Sequence, residues 1–310
     1  MPSTSARPLH GNIPAVVTPF AATGELMLDA FQELLDWYIA CGVDGVCVAG
    51  DNGESWALTK EERRQLSETA VRHVAGRVPV VMGASAITTR DTIAYAELAA
   101  AAGADAILLQ PQAYVLKASM AEIVGRYAAV ARAVEIPIMA YNSPRRTNLN
   151  MDVRILGAVC DAAPVVALKE ASRDLFHVTH VLHAFADRIA VMTGPAPFIF
   201  PTIPLGAKGF VSSGPELFGR EAMRIISLAK AGPSAEAREF HYRLTVVYET
   251  LMETGTWPAA LKAAIGLLGL PAGVPRDPVQ TLPPDQMAKL KRVMGEIGLL
   301  PGERQRHVAE

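Results

Sequence analysis

Short apolar runs alternate along the chain with longer segments whose apolar residues recur every three to four positions. The runs are Ile13–Thr18, Gly45–Ala49, Val78–Met82, Ala106–Gln110, Pro137–Tyr141, Val165–Lys169, Ile189–Thr193 and Gly209–Ser212. Each is short and nearly continuous in apolar content, the pattern of a strand buried on both faces. The segments that follow read as amphipathic helices, for example Asp29–Cys41, Lys60–Val74, Thr89–Ala102 and Ser119–Ala133. Strict alternation of strand and helix predicts an α/β protein with a parallel sheet, and eight such units predict a closed (β/α)8, or TIM, barrel. An open doubly wound sheet is the alternative. It usually carries a glycine-rich first turn, whereas the first run here leads into Thr18-Pro19-Phe20 with no GxGxxG.

The alternation stops after Gly232. Ser234–Thr254, Pro258–Leu268 and Pro284–Ile297 read as helices separated by Gly/Pro breaks. The expected division is therefore a barrel over 1–232 and a C-terminal helical extension over 233–310 packed against it. The polar stretch Gly302–Glu310 is expected to fray.

Composition narrows the classes. The chain has 310 residues, half of them hydrophobic, and a formal net charge of −2. A chain of this length can bury a large core, and near-neutral charge gives no reason to expect nucleic acid or an anionic membrane as partner. The apolar stretch Ala99–Leu109 is broken by Asp105 and is too short to span a bilayer. Met1–Leu9 lacks the apolar core of a signal peptide. Cys41, Cys47 and Cys160 form no CxxC pair, which suits reduced thiols and a cytoplasmic location.

Barrel chemistry belongs at the C-terminal strand ends. There stand Gly50-Asp51-Asn52-Gly53-Glu54-Ser55, Gln110-Pro111, Tyr141 through Thr147, Leu168-Lys169-Glu170, Thr193-Gly194 and Val211 through Gly214. Lys169 ends an apolar strand, and alternation sets it with Ala167 on one face and Leu168 with Glu170 on the other. Burial lowers a lysine's pKa, and a neutral amine is what attack on a ketone requires; a solvated strand end is the plain alternative. Tyr141 could relay protons or be ordinary core. The Gly50–Ser55 loop could hold a carboxylate on its backbone N–H groups or be a simple turn. Arg146 could bind a second carboxylate through two parallel hydrogen bonds or be a solvated loop arginine.

Two other signals lead elsewhere. His177, His180 and His183 recur at i, i+3 and i+6, which fans them around a helix and suits one metal poorly. Gly206-Ala207-Lys208-Gly209 precedes the eighth run, at the wrong end of that strand for the site, and reads as a turn rather than a phosphate loop.

Together these residues resemble the dihydrodipicolinate synthase / N-acetylneuraminate lyase family of class I, Schiff-base aldolases. The motifs are Gly50-x-x-Gly53-Glu54-Ser55, Tyr141-Asn142-x-Pro144-x-Arg146-Thr147 and Leu168-Lys169-Glu170-Ala171, in order and each at a strand end. The resemblance implies the barrel with its helical extension, a homotetramer built as a dimer of dimers or a homodimer, and no metal or organic cofactor. It implies that Lys169 forms the Schiff base, that Tyr141 shuttles protons and that the Asp51 and Asn52 amides, beside Gly53, hold the pyruvate carboxylate. It implies further that Arg146 orients the aldehyde's carboxylate and that Gly194 and Val211 line the pyruvate pocket. Two departures stand out. Asp51-Asn52 replaces the Thr-Thr of the synthase branch, and its Asn is similar to the Ser-Asn-Gly-Glu loop of 4-hydroxy-2-oxoglutarate aldolases. The second relay tyrosine falls at Ala113, so Tyr114 serves only after a shift of one residue.

The leading expectation is a lyase that condenses pyruvate or a related 2-oxo acid with an aldehyde, or cleaves the product, with dihydrodipicolinate synthase-like (4-hydroxy-tetrahydrodipicolinate synthase) activity as the best single name. An aldolase or dehydratase acting on 4-hydroxy-2-oxoglutarate or 2-keto-3-deoxy acids is the nearest alternative. A catalytically lapsed barrel that binds a small acid for regulation is another, and a phosphate-binding barrel a third.

Overall fold

A computed structural model describes residues 7–115 and 117–300; the polar segment beginning at Gly302 lies outside them. The strands are β1 (Gly11–Asn12), β2 (Val46–Val48), β3 (Val80–Gly83), β4 (Ala106–Leu109), β5 (Ile138–Asn142), β6 (Val165–Glu170), β7 (Ala190–Thr193) and β8 (Gly209–Phe210). All pair in parallel, in the order β1-β8-β7-β6-β5-β4-β3-β2. The ring closes between the first and second units by a parallel bridge of Ala15 to Cys47. The expected (β/α)8 barrel is the observed fold.

Helices cover the outside: α1 (Leu28–Cys41), α2 (Lys60–Val74), α3 (Thr89–Ala102), α4 (Met120–Ala133), α5 (Pro144–Thr147), α6 (Val153–Ala162), α7 (Leu175–Phe185), α8 (Ile199–Thr202) and α9 (Ile225–Ala231). Polar caps start several of them. Thr59 and Glu62 form a reciprocal capping box on α2, as Ser119 and Glu122 do on α4, satisfying backbone donors that helix starts leave free. Beyond them lie α10 (Ala235–Glu253), α11 (Ala259–Leu267) and α12 (Pro284–Glu296), which contact one another, while α10 also packs on α9.

Two apolar layers result. The inner one fills the barrel with Ile13, Cys47, Val81, Leu108, Met139, Ala167 and Met192. The outer one joins strands to helices and contains Leu168. Strand alternation thus turns Ala167, and with it Lys169, inward.

The first strand departs from expectation. The run Ile13–Thr18 carries only the bridge at Ala15, and the regular strand lies earlier, at Gly11–Asn12. Pro14 has no N–H to give to a ladder, although its carbonyl accepts from Cys47 at 2.9 Å. No described helix is long and apolar enough to cross a membrane.

Candidate active site

Register on adjacent strands sets the centre of the site. Tyr141 on β5 lies opposite Lys169 on β6, so both side chains enter the barrel at the same level. The Lys169 Nζ sits 4.5 Å from the Tyr141 ring centroid. Both are buried, at 8% and 5% exposure. Burial pushes the Lys169 amine below its usual pKa; Cys47 and Asp51 pull it partly back, and Arg146 pushes it further down. A larger share of neutral amine is available as a nucleophile in consequence. Burial, then the Asp51 carboxylate, hold the Tyr141 phenol well above its usual value, so it stays protonated as a donor.

Asp51 joins the groups together. It accepts a hydrogen bond from the Tyr141 hydroxyl at 3.0 Å and pairs with Arg146 Nε at 3.3 Å. Among the described residues, the backbone N–H groups of Asp51 and Asn52 donate to no protein acceptor. That leaves two donors for a carboxylate beside the amine. The Asn52 side chain faces away from this task. Its amide donates to Ala15 O at 3.0 Å and Ser213 Oγ at 2.9 Å, and its oxygen accepts from Trp257 Nε1 at 3.1 Å. Gly53 anchors the turn through its carbonyl, which accepts from Thr18 Oγ1 at 2.7 Å.

Next along the loop, Glu54 is fully buried and pairs with Lys262 of α11. Its other oxygen accepts from the backbone N–H of Arg276 at 2.8 Å. The loop that faces the amine is thereby fixed to residues far along the chain.

Gly194 approaches β6 closely, donating its N–H to Glu170 O at 2.7 Å. A Cβ there would stand 2.5 Å from that of Ala171, so only glycine fits. Gly194 and Val211 line one cavity with Lys169, Tyr141, Asp51, Asn52 and Arg146. Its volume is about 370 Å3, within the range of small-molecule sites. Behind the strands, Asn142 donates to Glu170 at 2.9 Å and contacts His177 at 3.1 Å. His177 is therefore part of a buried polar cluster, while His180 and His183 are exposed.

Sequence reasoning passed over Arg145, Arg173, Tyr248, Met252, Thr256 and Trp257, which also line the cavity, and took in Ser213 only as part of the Val211–Gly214 strand end. Arg145 was visible beside Arg146 in its motif. The others come from segments with no motif of their own. Tyr114, the possible relay, is 85% exposed with a positive φ of 69°, and a single chain does not bring it to this cavity.

The arrangement can form an imine on Lys169, move protons through Tyr141 and Asp51, and grip a carboxylate on the Asp51–Asn52 amides. Residues 8–297 match the dihydrodipicolinate synthetase family. A 4-hydroxy-tetrahydrodipicolinate synthase from Exiguobacterium sibiricum is 36% identical over 265 residues, 86% of this chain and 90% of its own. The crystal structure of dihydrodipicolinate synthase from Aquifex aeolicus superposes with a TM-score of 0.88 at 30% identity, covering 94% of this chain and 99% of its own. A prophage protein of the same family from E. coli K12, solved in complex with pyruvate, gives 0.88 at 28% identity, over 94% and 99% of the two chains.

Proposed function

Because the chain belongs to the dihydrodipicolinate synthetase family, we propose that it is a lyase that forms a Schiff base between Lys169 and pyruvate or a related 2-oxo acid. The observation that carries this reading is the pairing of a buried, pKa-lowered Lys169 with Tyr141 at matched register. The neutral amine attacks the ketone carbon. Tyr141 gives a proton to the resulting alkoxide, a second proton passes to that oxygen from the nitrogen, and water leaves as the iminium forms. The iminium draws electrons from the adjacent C–H, whose proton passes to the Tyr141 oxygen left bare by the first step; the enamine attacks the aldehyde carbon, and the new alkoxide takes that proton from Tyr141. Hydrolysis then returns the amine. Asp51, bonded to the Tyr141 hydroxyl, is the next proton acceptor in line. The imine itself is the electron sink, so the proposed chemistry calls for no external cofactor.

As a single name, 4-hydroxy-tetrahydrodipicolinate synthase-like activity follows the curated relatives. An aldolase or dehydratase on hydroxylated 2-oxo acids is the second reading. It is favoured by the ion pair of Asp51 with Arg146, which occupies the arginine expected to receive the aldehyde's carboxylate. We include in the proposal the division at residue 232, a cytoplasmic location in keeping with three unpaired cysteines, and assembly into a homotetramer or homodimer in which Tyr114 reaches a neighbouring site.

The test is incubation with pyruvate, reduction with borohydride and peptide mapping. A reduced pyruvate adduct on Lys169 is expected; an unmodified Lys169, under conditions that label a family member, overturns the lyase reading. A coupled assay with pyruvate and a panel of aldehydes, including aspartate semialdehyde, separates the two names.

A further inference from the structure

The cavity contains three guanidinium groups, from Arg145, Arg146 and Arg173, and one carboxylate, Asp51. Asp51 is paired with Arg146. Among the described residues, Arg145 and Arg173 have no acidic partner. Arg173 donates to the Tyr248 hydroxyl at 2.6 Å, and its guanidinium lies 5.1 Å from that ring's centroid. Both arginines converge on the Met252 sulfur, Arg173 at 3.0 Å and Arg145 at 3.9 Å. The nearest acid in sequence, Asp174, is taken up in capping α7, where it accepts from the N–H groups of Phe176 and His177. Arg173 is held in the left-handed region with φ of 62°, a conformation unfavourable for a side-chain residue and often retained where function requires it.

Two cations side by side at a cavity wall, with a phenol and a thioether but no anion between them, are matched to an anion. We propose that Arg145 and Arg173 form a distal subsite for a second carboxylate of the substrate, with Tyr248 holding the Arg173 guanidinium in place. The substrate class that follows is a 2-oxo acid, or an aldol adduct of one, with a carboxylate at each end. One carboxylate lies at the Asp51–Asn52 amides and the other between Arg145 and Arg173. This inference rests on the imine reading above and changes it in one respect. With Arg146 neutralised by Asp51, selectivity for the charged end moves to arginines from the β5 and β6 ends of the barrel. A planar guanidinium favours a carboxylate over a hydroxyl at such a place because it offers paired donors as well as charge.

The experiment compares chain-matched ligands. 2-Oxoglutarate and 2-oxoadipate are set against 2-oxopentanoate and 2-oxohexanoate, which end in methyl groups. Half-saturation of borohydride-trapped adduct on Lys169 is measured, and binding is followed independently by calorimetry. The wild-type chain should prefer at least one diacid by about 10- to 100-fold, the range spanned by a hydrogen bond to a charged group. In Arg173→Gln and Arg145→Gln the preference should shrink several-fold, and in the double variant it should approach unity. No preference in the wild type overturns the proposal. So does a preference that survives both substitutions and disappears in Arg146→Gln. Failure of pyruvate to label Lys169 counts against the imine alone, since the calorimetric preference still judges the subsite.

Discussion

The buried Glu54–Lys262 pair is expected to respond asymmetrically when either partner is removed, and the asymmetry should shrink as pH falls. Glu54 is 0% and Lys262 2% exposed. Lys262 also donates to Val274 O at 2.7 Å and lies 4.5 Å from the Phe20 ring centroid. Burial pushes the Lys262 pKa down to about 8, against the pull of Glu54. At pH 8 its neutral form is therefore already as favourable as its charged form. In Glu54→Gln the lysine can shed its proton, so losing its partner costs little at that pH, on the order of 1 kcal/mol or less. Lys262→Met offers no such escape. The substitution leaves the Glu54 carboxylate buried without its charged partner, and broken buried pairs typically cost about 3–5 kcal/mol. At pH 6 the lysine is mainly charged beside Glu54, so Glu54→Gln now costs more, on the order of 3 kcal/mol, and the gap between the variants closes. Urea unfolding of both variants at pH 8 and pH 6 measures this. Lys262→Met should be much the weaker protein at pH 8, with the two differing by no more than about 1 kcal/mol at pH 6, the allowance for the lost bond to Val274. Equal penalties at pH 8, or a gap unchanged at pH 6, would refute the reasoning.

Three further outcomes follow from the site. Tyr141→Phe should lower turnover by about 100- to 10,000-fold, the usual span of general acid–base catalysis, while slow pyruvate labelling of Lys169 persists; loss of labelling in a folded variant would point to a positioning role instead. Asp51→Asn removes a negative charge that holds the Lys169 pKa up, leaving the opposing influences of burial, Cys47, Arg146 and Glu216; the acid limb of imine formation against pH should move to lower pH, and an unmoved limb would exclude Asp51 as its cause. Burial opposes protonation of His177, but Glu170, Asp174 and Asp152 together raise its pKa. A raised pKa means stabilisation present below the free-histidine value and lost as pH rises through the folded one, so the stability gap between wild type and His177→Gln should narrow from pH 6 to pH 9 in equilibrium unfolding.

Much of the frame was legible because it follows from local pattern. Six of the eight strands overlap their runs nearly residue for residue, since continuous Val, Ile, Ala and Leu on a parallel strand leave little ambiguity. The inward placement of Lys169 followed from alternation alone. The first strand did not, because Pro14 interrupts donation within an otherwise apolar run. The motif residues Lys169, Tyr141, Asp51, Gly194, Val211 and Arg146 converge on one cavity. The residues that complete it were hidden for a physical reason. Trp257 is 205 positions from the Asn52 it bonds to, and Tyr248 is 75 positions from Arg173. Such contacts are created by the packing of α10 and α11 against the barrel and have no periodicity to reveal them.

The carboxylate at residue 51 ties these observations together. A hydroxyl there would hand a proton onward and leave Arg146 free. A carboxylate does the first and cancels the second, because it accepts from Tyr141 and pairs with Arg146 at once. It also lies near enough to Lys169 to raise the pKa that burial lowers. Left alone, an added negative charge in the site would work against an anionic substrate. In the proposed subsite Arg145 and Arg173 offset that repulsion, so the carboxylate at residue 51 and this pair of arginines are best understood together as one balance of charge. That link makes a further demand on Asp51→Asn. With Arg146 released, the variant should gain affinity for carboxylate-ended ligands, and Arg173→Gln should cost it less than it costs the wild type. Binding of 2-oxoglutarate to the two single variants and the double variant, measured by calorimetry, gives the coupling directly. Strict additivity would mean that the arginines and Asp51 act independently, and the idea of a single adjustment would fall.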